Sequence, residues 1–215
     1  MSSQDFAQDI YTEPCAEPDT LSQLGPLRFM AGIWESSQGM DVKPKADGPR
    51  KQAYVERYEL QPIDAQTNGP QLFYGLRYHT FISKPGLSKS YHDQVGFWLW
   101  EPATNTVIQT LAIPRGQVAM ASGTATADAD EFELRATHGS SIWGICSNPF
   151  LEHAFKTLEW RIKVRIDRAA GTWSYDQDTV MQIQGQSEPF HHTDRNTLVK
   201  VAEPSLNPLA LMPAR

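Results

Sequence analysis

The chain has 215 residues, of which 40% are hydrophobic, and a formal net charge of −6. A chain of this length can form one all-β domain with a sizeable core, and its acidic balance excludes the basic surfaces that nucleic acid requires. No apolar run approaches the roughly 20 residues that span a bilayer, and the polar N-terminus does not resemble a secretory signal.

The two ends of the chain differ from its middle. Residues 1–20 mix acidic, polar and proline residues without periodicity, which predicts a mobile N-terminal tail, and residues 203–215 read as a Pro-rich C-terminal tail. Cys15 and Cys146 form no spaced framework, so we expect a reduced, cytoplasmic protein without a disulfide.

A short sequence pattern after the N-terminal tail marks the start of the folded domain. Residues 21–31 can form a short helix that caps one end of a barrel, and Gly32-Ile33-Trp34 follows it. The glycine allows a tight entry into the first strand, and we expect Trp34 to plug the closed end. Arg195 is a candidate to stack on this indole, a cation–π contact worth about 1 kcal/mol.

Ten strand-like runs follow, separated by turn signals such as Asn68-Gly69-Pro70 and Ala170-Gly171. The runs cover residues 33–38, 53–61, 71–82, 92–100, 107–113, 117–125, 131–138, 157–166, 172–183 and 191–201. This spacing predicts an all-β fold: an antiparallel up-and-down β-barrel of about ten strands over residues 21–202.

Two segments depart from simple alternation. The run 92–100 is apolar on both faces, with Val95 and Phe97 on one face and Trp98 and Trp100 on the other. An apolar outer face favours a covered surface, so a homodimer is a candidate assembly. Between two later strands, Asn148-Pro149 is typical of a helix start and predicts a short helix over 149–156.

The adjacent histidines His191 and His192 open the last strand. Neighbouring strand residues face opposite sides, so one of them faces the lumen. A histidine aimed into an apolar barrel suits a single axial bond to haem iron, and Asp194 or Asn196 could orient its ring. The alternative is a pair of polar residues that bond nearby carbonyl groups at a strand start.

The other histidines have simpler interpretations. His92 and Asp93 face apart, His138 suits a satisfied core position, and His153 lies on the predicted helix. His79 shares a face with Arg77, which could serve a carboxylate. The sequence lacks the motifs of zincins, zinc ribbons and α/β-hydrolases.

With these residues in view, the chain resembles the nitrobindin-like haem-binding β-barrels, which are similar in shape to the fatty-acid-binding proteins of the calycin type. The resemblance covers about residues 21–201. It rests on four segments: Leu24-Gly-Pro-Leu-x-Phe-Met-Ala-Gly-Ile-Trp34, Asp93-Gln-Val-Gly-Phe-Trp-Leu-Trp100, Ile113-Pro-Arg-Gly116, and Gly185-Gln186 ahead of the last-strand histidines.

Membership in that family implies ferric haem b, held by one last-strand histidine in a small pocket at one end of the barrel. It also implies nitric oxide binding and isomerisation of peroxynitrite to nitrate. The metal-binding candidates are His191, counted from Gly185-Gln186, and His192 as the reserve. Arg77 and Arg115 are candidates for the propionates, and Trp34 completes the set of cofactor-binding candidates.

The sequence departs from the family pattern after Trp34, where serines at 36 and 37 replace glycines that make room near the haem. Two further interpretations therefore stay open. One is a non-enzymatic carrier of a fatty acid or other small apolar ligand, with Arg77 or Arg195 pairing its carboxylate. The other is a barrel with a filled pocket that serves as an interaction module.

Overall fold

The structure is a computed structural model that describes residues 6–212. The outermost parts of both predicted tails, residues 1–5 and 213–215, lie outside the described residues. The strands are β1 (Gly32–Lys43), β2 (Arg50–Asn68), β3 (Gln71–Ser83), β4 (Ser90–Glu101), β5 (Thr106–Ile113), β6 (Gln117–Thr124), β7 (Glu131–His138), β8 (Gly144–Ser147), β9 (Phe155–Asp167), β10 (Thr172–Ile183) and β11 (Phe190–Ala202). The helices are α1 (Thr20–Gln23), α2 (Pro149–Ala154) and two 3₁₀ helices, Gly25–Met30 and Pro208–Leu211.

These strands form one closed barrel, which confirms the predicted all-β fold. Neighbouring strands follow chain order from β1 to β6, then come β8, β7, β9, β10 and β11, and β11 pairs with β1 to close the sheet. All pairings are antiparallel except that between β7 and β8.

The structure adds an eleventh strand to the ten that the sequence predicts. The four-residue β8 pairs with the start of β6 and the end of β7, where β6 and β7 themselves pair only at Ser122 and Arg135. A strand this short has too few residues to show alternation. The predicted helix over 149–156 corresponds to α2, whose first N–H groups are capped by Asn148 Oδ1.

The closed end of the barrel is packed with large apolar side chains. Leu24, Leu27 and Met30 of the first helical segments are fully buried and cover Trp34, whose Nε1 donates to the Met30 carbonyl at 2.7 Å. Gly25 (φ +53°) lies flat on the Trp100 ring, where a Cβ would come within 2.7 Å. Trp34 therefore plugs this end, as the sequence predicts.

The predicted stacking of Arg195 on Trp34 is wrong. Trp34 pairs with Lys200 in the register of β1 and β11, and the Lys200 ammonium lies 5.1 Å from the indole. Arg195 pairs with Met40 instead, well toward the other end of the barrel, and its side chain is exposed on the outer face.

Asn207 joins the two ends of the chain to β2. It is fully buried, its Nδ2 donates to the Pro18 carbonyl at 2.8 Å and to Asp64 Oδ1 at 2.7 Å, and its Oδ1 accepts the Thr20 N–H at 3.1 Å. Parts of both segments flanking the barrel thus pack on its outside. Within residues 6–212, no helix is both long and apolar enough to cross a membrane.

Candidate functional site

The open end of the barrel, opposite Trp34, is the mouth, formed where β1 ends and β4 and β11 begin. His192 faces inward here, with 34% of its side chain exposed. Its Nε2 lies 2.7 Å from Oδ1 of Asp41, which is buried on the neighbouring strand β1. The mouth therefore holds an imidazole whose orientation is set by a carboxylate.

His191 lies on the outer face of the barrel. Its side chain is 58% exposed, and its Nδ1 lies 2.8 Å from Asp178 Oδ2, which also accepts a hydrogen bond from Arg161 at 2.9 Å. Adjacent residues of a strand point to opposite faces, so only one member of the pair can reach the lumen. The structure assigns that place to His192.

Two cations lie at the rim of the mouth. Lys43 Nζ is 3.7 Å from Asp41 Oδ2 and 5.0 Å from the centre of the Tyr91 ring. Arg115, in the turn between β5 and β6, donates to the Tyr91 carbonyl at 2.6 Å. The rim thus offers positive charge beside the His192 imidazole.

His92 also belongs to the mouth, on the inner face of β4. Its Nε2 lies 3.3 Å from Gln94 Oε1. Burial lowers the pKa of this imidazole and the charge of Arg115 acts in the same direction, while the hydrogen bond to Gln94 opposes them. His92 is therefore a neutral group at pH 7.

Below the mouth, the ring of Tyr54 fills the space above Gly39. A Cβ at Gly39 would come within 2.0 Å of this ring, so glycine is needed where the two strands meet. Tyr54 Oη bonds Asp194 Oδ1 and lies 2.9 Å from Tyr175 Oη. The Tyr54 ring therefore occupies the space that the absent side chain of Gly39 leaves.

A buried carboxylate, Glu56, sits deeper in the lumen. It accepts hydrogen bonds from Thr80 Oγ1 at 2.7 Å, Asn196 Nδ2 at 2.7 Å and Tyr175 Oη at 2.8 Å. Burial raises its pKa, while these three donors act in the opposite direction. The middle of the barrel is thus a polar layer rather than an apolar cavity.

Asp194, which is part-buried, is the second carboxyl group of this layer. Burial raises its pKa well above the usual range, the charges of Glu56 and Asp41 add to this, and the Tyr54 hydroxyl opposes it. The expected orientation of the histidine ring by Asp194 or Asn196 is not what the structure shows. Asp194 bonds Tyr54, Asn196 bonds Glu56, and Asp41 holds His192.

Two other candidate residues lie away from the mouth. Trp34 pairs with Lys200 of β11, and Lys200 is eight residues from His192 along that strand. This separation corresponds to roughly 26 Å. Arg77 lines a groove on the outer face, beside His79 and the half-exposed Val95 and Phe97. The structure therefore brings together only His192 and Arg115 among the predicted site residues.

Two of the remaining histidines have partners outside this site. His79 Nε2 is 3.0 Å from Asp93 Oδ1 on the outer face, and His138 Nε2 is 2.9 Å from Glu152 Oε2 of α2. Both are ordinary surface or part-buried pairs.

Sequence reasoning missed Asp41, Lys43, Tyr54, Glu56 and Tyr175. A signal for two of them was present in β2, where Tyr54, Glu56 and Tyr58 alternate and thus share one face. Partnership between Asp41 and His192 depends on the closure of the barrel by β1 and β11, which the pattern of a single strand does not reveal.

Comparisons with known proteins agree with this architecture. The crystal structure of Rv2717c from M. tuberculosis aligns with a TM-score of 0.57 at 23% sequence identity, covering 84% of this chain and 96% of that one. No curated protein gives a significant sequence match. The family model described as "THAP4-like, heme-binding beta-barrel domain" matches residues 23–200, nearly the whole barrel. The resemblance to the nitrobindin-like barrels is thereby confirmed, and the chain belongs to the THAP4-like family of haem-binding β-barrel domains.

Proposed function

We propose that this protein binds ferric haem b at the mouth of the barrel, with His192 as the axial ligand. The observation that carries the proposal is the His192–Asp41 pair, an inward-facing imidazole held by a buried carboxylate. A carboxylate on one ring nitrogen of a ligating histidine is the usual way in which proteins orient such a ligand and raise its basicity.

The residues present fit this group. If Nε2 carries the hydrogen that Asp41 accepts, Nδ1 keeps the lone pair of the imidazole and is the nitrogen that would bind iron. Within the described residues, no group of three or more His, Cys, Asp or Glu side chains is arranged to hold a bare metal ion. A single protein donor suits an iron whose other bonds come from a porphyrin.

The rim of the mouth carries cations that could pair with the propionate groups of haem. Lys43 lies over the Tyr91 ring and 3.7 Å from Asp41, the partner of His192, and Arg115 donates to the Tyr91 carbonyl. Haem propionates would pair with them near solvent, where the ion pairs cost little desolvation.

The polar layer below the mouth limits how deeply a ligand can enter. Tyr54 covers Gly39, and the lumen beyond it is filled by Tyr175, Glu56 and their partners. Haem bound above this layer would supply an open iron position for nitric oxide or for isomerisation of peroxynitrite to nitrate. The protein would orient the group and shape its electrostatics.

The fatty-acid carrier is less well supported. A carrier needs a cation inside the barrel to pair with a carboxylate and an apolar lumen to hold an acyl chain. Arg77 and Arg195 both face outward, and the lumen below the mouth carries two carboxyl groups, the buried Glu56 and the part-buried Asp194.

A competition experiment separates these two functions. The apoprotein is titrated with haemin, and the absorption of the Soret band is followed in the absence and presence of a saturated long-chain fatty acid. We expect a saturable one-to-one Soret change that the fatty acid leaves unaltered. Binding of the fatty acid with no saturable haemin change would overturn the haem proposal.

A further inference from the structure

Four large apolar side chains are exposed side by side on the outer wall of the barrel. They are Val95 and Phe97 of β4 and Val118 and Met120 of β6, each between 38% and 48% exposed. The strand register places them in two parallel rows, with Ala112 of β5 between the two valines and Thr110 between the other two. We call these six residues the β4–β6 face. An exposed apolar patch of this kind is typical of an interaction site.

Both rows continue into polar residues on β2 and β3. These residues are Glu59 and His79 in the row of the valines, and Gln61 and Arg77 in the row of Phe97. The polar residues and most of the β4–β6 face line one groove on the outer wall. His79 is paired with Asp93, but Arg77 and Glu59 take part in none of the ion pairs found within residues 6–212.

The outer wall formed by β7, β9 and β10 has a different character. Its charged side chains form a ladder of ion pairs, which includes Arg135 with Glu159, Arg161 with Asp178, and Lys163 with Glu131. That wall therefore satisfies its own charges. The groove instead carries one cation and one carboxylate that are unpaired in the described part of the chain, beside four exposed apolar side chains.

A second copy of the chain complements this groove. A two-fold axis that crosses the strands between the two rows places each row of one copy on the other row of the second copy. Val95 then meets Phe97 of the second copy, and Val118 meets Met120 in the same way. Apolar side chains thus cover apolar side chains on both sides of the axis.

The charges of the groove match under the same rotation. Arg77 and Glu59 lie in different rows, so the axis brings Arg77 of each copy beside Glu59 of the other. The net charge of −6 opposes association of two copies in general. The groove avoids this repulsion because its two unpaired charges have opposite signs, and each copy supplies the charge that the other lacks.

We propose that the β4–β6 face and the adjoining groove form the contact of a two-fold symmetric homodimer. The outer wall of a barrel is convex, so the contact is small and the dimer belongs among the weaker protein assemblies. None of the residues involved lies at the mouth, and the dimer therefore does not depend on haem binding.

Sedimentation velocity of the apoprotein between about 1 and 500 µM tests this contact. We expect the average mass to rise with concentration from 24.1 kDa towards twice that value. Val95→Lys should weaken the dimer by roughly 30-fold or more, because it places an ammonium group against Phe97 of the second copy. The control is Val199→Lys on the outer face of β11, which changes a valine that is at least as exposed and should leave the dimer unaltered.

Three outcomes of this experiment would overturn the proposal. The first is a constant mass of 24.1 kDa over the whole range. The second is equal weakening by the two lysine variants, which would place the contact elsewhere. The third is a monomeric protein that binds neutral phosphatidylcholine vesicles through Val95, which would make the face a lipid-docking surface.

Charge reversal tests whether the two copies are related by this axis. Arg77→Glu and Glu59→Arg should each weaken self-association by about tenfold or more, because each places like charges together at two symmetric positions. An equal mixture of the two variants should associate as readily as the unaltered chain, since every contact again joins opposite charges. Failure of the mixture to associate, while the unaltered chain dimerises, would contradict the proposed arrangement.

Discussion

His192 and Asp41 are joined across the seam at which the last strand closes the barrel onto the first. The imidazole Nε2 lies 2.7 Å from the Asp41 carboxylate, although the two residues are 151 positions apart. The orientation of the His192 ring thus depends on closure of the barrel, and so does the direction of the lone pair on this ring.

Replacing Asp41 should weaken haem binding without unfolding the protein. Asp41→Asn removes the charge that accepts Nε2–H, and loss of such a partner typically costs about 10- to 100-fold in metal affinity. Haemin titration of the apoprotein measures this. Asp178→Asn is the matched control, because it removes the carboxylate partner of the outward His191 instead; an equal loss in both variants would contradict the role of Asp41.

Trp34→Ala should destabilise the barrel and leave the mouth intact. Trp34 is fully buried at the closed end, and truncating a buried aromatic residue costs about 3–5 kcal/mol. Urea denaturation gives the free energy of unfolding, with Trp34→Phe expected to lose less. A large fall in haemin affinity of the folded Trp34→Ala protein would show that this residue acts at the haem site.

The pH dependence of stability should contain a contribution from His92. Burial depresses its pKa in the folded state below the ordinary 6.5, so below that pH the unfolded chain binds a proton that the folded chain does not. Stability conferred by neutral His92 is complete above about pH 6.5 and declines as the pH falls. In His92→Gln, the free energy of unfolding should change less steeply with pH between about pH 5 and 6.5. An unchanged slope would show that His92 titrates normally.

Gly39 and Tyr54 should be energetically coupled. A Cβ at position 39 collides with the Tyr54 ring, so Gly39→Ala should cost about 1–3 kcal/mol of stability. Adding Tyr54→Ala removes the ring that is struck, so the double variant should lose less than the sum of the two single changes. A double-mutant cycle by urea denaturation measures the coupling, and strict additivity would contradict this contact.

The strand count and the closed end followed from local patterns. Alternation and turn residues predicted ten of the eleven strands, and the Gly-x-Trp segment predicted the plug at Trp34. Only β8 was missed, since four residues cannot display a period of two.

The site was harder to predict because it depends on which strands become neighbours. Strand parity from the buried Leu198 already assigns His192 rather than His191 to the lumen, since residues an even number apart share a face. Counting from Gly185-Gln186, across a turn of variable length, favoured the outward residue. The pairing of Asp41 with His192 joins strands that are distant in the sequence, so the pattern of a single strand does not reveal it, whereas alternation in β2 placed Tyr54 and Glu56 on one face without showing their partners.

The most direct test of the haem site compares haemin titrations of the unaltered apoprotein, His192→Ala and His191→Ala, followed at the Soret band. We predict saturable one-to-one binding by the unaltered protein and by His191→Ala, with loss of the axially ligated spectrum only in His192→Ala. Full ligation by His192→Ala, or loss of ligation in His191→Ala alone, would contradict the proposal that the inward-facing histidine holds the iron.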